Sequence, residues 1–174
     1  AGACCDRALW PCLDMFAMPI QLKYGCNPNQ AFAQLVSEAD ACPLVVRNGS
    51  PSYINVLDGL RGWQLVRELK GATGKASAAS FKHVSPAGAA VAGALDESFC
   101  QAFFISDGSS LSPLASAYAK ARSSDRVASF GDFIAVSDRV DVSLAKLIKP
   151  EVSDGIIAPG YDDEAFEILR GKKG

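Results

Sequence analysis

The stretch SFKHVSPAG, residues 80–88, carries the chain's single histidine, His83, directly after Lys82. An imidazole changes charge near neutral pH and can move a proton, and a neighbouring ammonium can stabilise developing negative charge. The pair therefore has the makings of an acid–base centre. Successive side chains on a strand point to opposite faces, so the two can serve one cleft only if the chain turns at this point. The plainer reading has a solvated Lys82 beside a histidine satisfied inside the fold, and the residues alone leave both readings open. Asp132 follows Gly131 in the otherwise apolar run SFGDFIAV. A carboxylate there is expensive to bury without a partner, and a pairing with Lys82 would satisfy it as a structural alternative.

Other chemistries lack their residues. KGATGKAS, residues 70–77, has the look of a phosphate loop, but the pattern G-x-x-x-x-G-K-[ST] needs Gly at 69 and Ser or Thr at 76, where Leu69 and Ala76 stand. A turn after a helix is the better reading. Neither C-x-x-C nor H-x-E is present, and one histidine makes a poor start for a zinc site, so no metal is expected. No G-x-S-x-G elbow supports a serine nucleophile.

The elements that must position these groups follow from the pattern of the chain. At 174 residues, 49% hydrophobic and 21% charged, the sequence describes one globular domain or half of a larger one. A net charge of −2 gives no electrostatic reason to expect nucleic acid or an anionic membrane as partner. No apolar run reaches the length of a membrane span. The sequence starts at Ala1 without Met, which fits a form that lost a targeting segment as well as an arbitrary start. Its six cysteines are irregularly spaced and read as reduced thiols.

Strands are expected at 43–48, 76–83, 126–136 and 154–158, and helices at 54–70, 113–122, 142–149 and 162–171. The first helix is read from Val56, Leu60, Trp63, Val66 and Leu69 at helical spacing, with Gly71 as its stop. Ser112-Pro113 is an N-cap followed by proline at the first helical position. The residues after His83 are expected to form a loop. Strands alternating with helices imply an α/β layer with a largely parallel sheet, and ligands in such sheets sit beyond strand C-terminal ends.

In order along the chain, PIQLKYGCNPNQAFAQL, NGSPSYINVLDGLRGWQLVRELK, ASFKHVSPAGAAV, LASAYAKARSSDRVASFGDFIAVSD and EVSDGIIAPGYDDEAFEIL resemble the transformylase domain of the bifunctional purine-biosynthesis family. The resemblance covers about Pro19 to Lys173, with KHVSPAGAAV in a eukaryote-like form. It implies a cytidine-deaminase-like, three-layer α/β fold with a mixed, largely parallel sheet and without zinc, with residues 1–18 as an N-terminal extension and 19–174 as a half domain. It implies transfer of a formyl group from 10-formyltetrahydrofolate to the amine of aminoimidazole carboxamide ribonucleotide. His83 would then shuttle the proton and Lys82 would stabilise charge on the formyl oxygen. Asp132 would support the site, and Lys23, Tyr24, Asn29 and Gly88 would meet the nucleotide.

Two positions depart from the family's pattern. Lys23 stands where the family typically has Arg, replacing a planar fork by a point charge, and Asn29 stands where it has His, which removes a group able to carry a proton. The family domain has two related halves and this sequence covers the first. The expected partner is therefore a protein, or a second copy, that supplies the other half, and the chain alone is expected to be inactive. The alternative is a transformylase-derived structural subunit or docking module. By the same resemblance its place is the cytoplasm, or an organelle if a targeting segment was removed.

Overall fold

The computed structural model describes residues 19–37, 42–106 and 108–172, so the expected extension at 1–18 lies outside it. The chain divides into two compact units, Ala1–Tyr53 and Ile54–Gly174.

In the first unit, β1 (Ile20–Gln21) and β2 (Gln34–Leu35) form a short antiparallel ladder. The connection closes on itself: Gly25 N–H donates to Gln30 O at 2.9 Å, and Asn27 N–H donates to the Gln30 side-chain Oε1 at 2.9 Å. The strand expected at 43–48 does not form. Pro43 removes a ladder donor at its head. Val45 and Val46, neighbours that would face opposite sides of a strand, are both exposed.

The second unit is a three-layer α/β arrangement. Its elements are α1 (Tyr53–Thr73, beginning on the last residue of the first unit), β3 (Ser77–Lys82), β4 (Ser85–Val91), α2 (Glu97–Ala102), α3 (Pro113–Ser123), β5 (Asp132–Val136), α4 (Val142–Ile148), β6 (Ser153–Ile157) and α5 (Asp163–Arg170). The sheet order is β4-β3-β5-β6. Alternation along β3 builds the layers. Ala78 shares a buried cluster with Leu114, Tyr118, Leu144 and Ala165 of α3, α4 and α5, whereas Ala79 and Phe81 share another with Val66 of α1.

The sheet is mixed and not largely parallel. A two-residue turn joins β3 to β4, which forces them antiparallel. β3 also pairs antiparallel with β5, and only β5 and β6, connected through α4, run parallel. The expected loop after His83 is β4 itself. Its Pro86 is tolerated because β4 is an edge strand, next to a register shift at Ser80/Phe81. The strand expected from 126 begins only at Asp132, because residues 126–131 form turns ending in Gly131 at φ +71°.

Helix α1 lies on the sheet through small residues, not through the expected Leu60, which is exposed. Its buried positions are Asp58, Gly59, Gly62 and Val66. A Cβ at Gly62 would lie 2.7 Å from Ala135 Cβ, so glycine is what admits the helix to the sheet. The helix also runs past Gly71 to Thr73, with Gly74 at φ +68° ending it. Ser112 caps α3 as expected, its Oγ accepting Ala115 N–H at 3.1 Å behind Pro113.

Candidate functional site

Lys82 ends β3, and His83 and Val84 are the two residues of the hairpin turn. Both have positive φ, 52° and 63°. Two-residue hairpin turns often require positive φ at both positions and favour Asn-Gly for it. Here neither residue is glycine and the second is β-branched, a conformation that costs about 1–3 kcal/mol per residue and concentrates at functional sites. The chain does turn at Lys82-His83, and His83 is exposed rather than satisfied in the core.

The turn is held from below by Asp58 of α1. Val84 N–H donates to Asp58 Oδ1 at 2.6 Å, and Asp58 is only 4% exposed. Burial pushes the Asp58 carboxyl above its ordinary range, opposed by the Val84 hydrogen bond and by the charges of His83 and Lys82.

Lys82 is half-buried. Its Nζ donates to Gly131 O and lies 3.8 Å from Asp154 Oδ2 on β6. Gly131 is favoured by its backbone and lies against the lysine. Its φ suits glycine, and a Cβ there would sit 2.7 Å from Lys82 Nζ. Beside it, Phe130 is 64% exposed, an aromatic face next to the lysine's seat.

Asp132 does not pair with Lys82. It is fully buried against α3, where Arg122 Nη1 donates to its Oδ1 at 2.9 Å and Ser80 Oγ donates to its Oδ2 at 2.7 Å. Tyr118 OH lies 3.4 Å from the same oxygen, and Ser129 Oγ lies 2.9 Å from Ser80 Oγ. Desolvation, then the Asp132 charge, pushes the Tyr118 phenol up, so it stays a neutral donor. Arg122 also donates to Ser129 O at 2.9 Å and meets Glu151 at 2.9 Å. Arg122 takes the place expected of Lys82: Asp132 opens β5 beneath α3, where Arg122 and Tyr118 are spaced i, i+4 on one helix face and both reach its carboxylate.

Of the remaining expected residues, Lys23 and Asn29 are exposed and Tyr24 is half-buried, all three in the first unit. Gly88 is a packing glycine where β4 meets α3: a Cβ would stand 2.0 Å from Ala121 O. The residues that sequence reasoning passed over are Asp58, Arg122, Phe130 and Asp154. Asp58 is the one charged residue among the buried positions of α1, where a carboxylate needs a partner. Among the described residues no group of three or more metal-ligating side chains forms, and no helix is long and apolar enough to cross a membrane.

The family model described as AICARFT/IMPCHase bienzyme matches residues 13–174. The chain belongs to the AICARFT/IMPCHase bienzyme family. Similar proteins include the bifunctional purine biosynthesis protein PurH of Chloroflexus aurantiacus, 34% identical over 152 residues that cover 87% of this chain and 26% of the relative. The protein of the same name from Synechococcus elongatus is 31% identical over 166 residues, covering 92% of this chain and 28% of the relative. The chain thus spans about a quarter of the length of these AICARFT/IMPCHase relatives. The matched stretch takes in the Lys82-His83 turn, the Lys82 seat on Gly131 and the buried Arg122–Asp132 pair.

Proposed function

We propose that this chain carries one half of a formyltransferase site of purine biosynthesis, which moves a formyl group from 10-formyltetrahydrofolate to the amine of aminoimidazole carboxamide ribonucleotide. The observation that carries this reading is the Lys82-His83 turn: an exposed imidazole on a strained hairpin, beside an ammonium fixed by Gly131 O. In the transfer, the amine nitrogen forms a bond to the formyl carbon, and the bond from that carbon to the folate nitrogen breaks. His83 takes the proton leaving the amine and returns one to the folate nitrogen. Lys82 Nζ, held at a set position, stabilises negative charge on the formyl oxygen as it builds. Phe130 offers a face for the heterocycle, and Asp154 holds the Lys82 ammonium from its second side. Asp132 acts at one remove, by fixing the strand start that sets Gly131.

Lys23, Tyr24 and Asn29 would meet the nucleotide, with Lys23 as a single-point cation for phosphate. The rest of the site and of the folate surface comes from a protein partner or second copy in this reading, in the cytoplasm. A second reading, a transformylase-derived subunit without turnover, is favoured by Asn29, which cannot carry a proton at neutral pH.

The two readings separate in one assay. The 174-residue chain is mixed with aminoimidazole carboxamide ribonucleotide and 10-formyltetrahydrofolate, alone and with the remaining part of a complete family domain, and folate absorbance is followed. The expected result is no turnover alone, turnover on mixing, and loss of that turnover in His83→Ala by about 10²- to 10⁴-fold. Absence of turnover in the mixture leaves the non-catalytic subunit.

A further inference from the structure

We propose that Asp58 is a positioning residue of this site: from the buried face of α1 it clamps the backbone of the Lys82-His83-Val84 turn in its left-handed conformation and so aims the two reacting side chains. The proposal rests on the reading of Lys82 and His83 as acid–base groups. Three observations carry it. Consecutive positive φ values at His83 and Val84 have no local cause, since neither residue is glycine or asparagine and valine is poorly suited to that region. A conformation of this kind persists only where its surroundings over-determine it. The group that does so is a 4%-exposed carboxylate whose Oδ1 accepts the Val84 N–H at 2.6 Å.

A merely solubilising aspartate would not be spent on that face. The same face carries Gly59 and Gly62, which bring α1 against Phe133 and Ala135. The carboxylate therefore rides on a helix fixed to the centre of the sheet, and it reaches the turn with little freedom of its own. Removing it frees an amide and leaves valine in a region it avoids. The turn then relaxes towards negative φ, and the direction of His83 changes although His83 itself is untouched.

The test uses amide exchange and the imidazole resonance of the full chain, in which His83 is the single histidine. In Asp58→Ala, exchange at Val84 should accelerate at least tenfold while Ala79 in the sheet core stays protected. Asp58→Asn keeps an acceptor and should keep Val84 protected. Adding Val84→Gly to Asp58→Ala supplies a residue at ease with positive φ and should return the His83 resonance to its original position. Aminoimidazole carboxamide ribonucleotide should shift that resonance in the original chain, in Asp58→Asn and in the glycine double variant, with at least tenfold weaker affinity in Asp58→Ala. Unchanged protection of Val84 in Asp58→Ala overturns the clamp. If Asp58→Ala does not fold, folding of the Asp58→Ala/Val84→Gly chain supports the clamp, and failure of both overturns it. If the exchange results hold but the ribonucleotide never moves the His83 resonance, the functional reading falls, and with it the catalytic purpose of the clamp. The exchange arm contains no ligand, so the two failures are distinct.

Discussion

Arg122 Nη1 stands 2.9 Å from Asp132 Oδ1, with the two side chains 5% and 0% exposed. Arg122 in the last turn of α3 and Asp132 at the start of β5 lie ten positions apart in sequence, and this ion pair fixes their spacing while turns carry the chain between them. Removing one partner strands the other charge in the core. Arg122→Met should therefore destabilise the fold by about 3–5 kcal/mol, read as a lower urea midpoint with an unchanged slope. Arg122→Met combined with Asp132→Asn should recover part of that loss, since the double change leaves no lone buried charge.

Gly131→Ala strains a backbone at φ +71° and places a methyl 2.7 Å from Lys82 Nζ. The expected stability loss is about 1–3 kcal/mol. In the complemented assay, turnover should fall further than stability explains, because the ammonium must leave its seat. Stability from denaturant unfolding and turnover at saturating substrate, measured on the same preparation, check this.

The raised pKa of Asp58 has a definite sign in the pH dependence of folding. Its ordinary value is 3.8 and burial raises it in the folded chain. The folded state then binds more protons through the window above 3.8, so this group's contribution is fully present below that value and is lost as pH rises through the folded value. Asp58→Asn removes the titration. Its stability relative to the original chain should be least favourable near pH 3.8 and should improve towards neutral pH, as followed by urea unfolding across that range. A difference that stays flat with pH rules out the perturbed carboxyl.

Gly88→Ala should be among the most damaging small changes in the molecule. The added carbon would lie 2.0 Å from the Ala121 carbonyl oxygen, a backbone atom that cannot swing aside. Overpacking of this kind costs about 1–3 kcal/mol and more where backbone must move. A fall in thermal midpoint larger than that of Gly62→Ala, whose methyl would meet a side-chain carbon at 2.7 Å, checks it.

What the sequence disclosed and what it hid follow from the range of the forces involved. The α3 start at Ser112-Pro113 was legible because a cap is written in adjacent residues. The helices near 142–149 and 162–171 also appear; Asp141 caps the first, its Oδ1 accepting Leu144 N–H at 2.8 Å, whereas Asp162 stands before the second with no side-chain cap. The hairpin after Lys82 was not legible, because its turn residues are His and Val and the force that bends them comes from α1. The start of β5 was placed too early, since RVASF has the composition of a strand while Arg122 and Ser80 hold Ser129 in a turn. The Lys82-His83 pair was singled out by residue type alone. Its neighbours Asp58 and Asp154 were not, because α1 and β6 reach it only through the sheet.

The order of strands has a kinetic consequence. β3 and β4 meet across a two-residue turn, so their pairing closes almost no loop and can form within microseconds in principle. β3 and β5, whose ladder joins Ala78 to Val136, are far apart in sequence and must find each other through a long chain closure. The slow event in folding is then the arrival of β5 on a hairpin already made, and Arg122 and Asp132 are brought together in that event. A nascent chain would hold the Lys82-His83 turn before it holds the strand that seats the lysine, with the β3 edge open to intermolecular pairing in the interval.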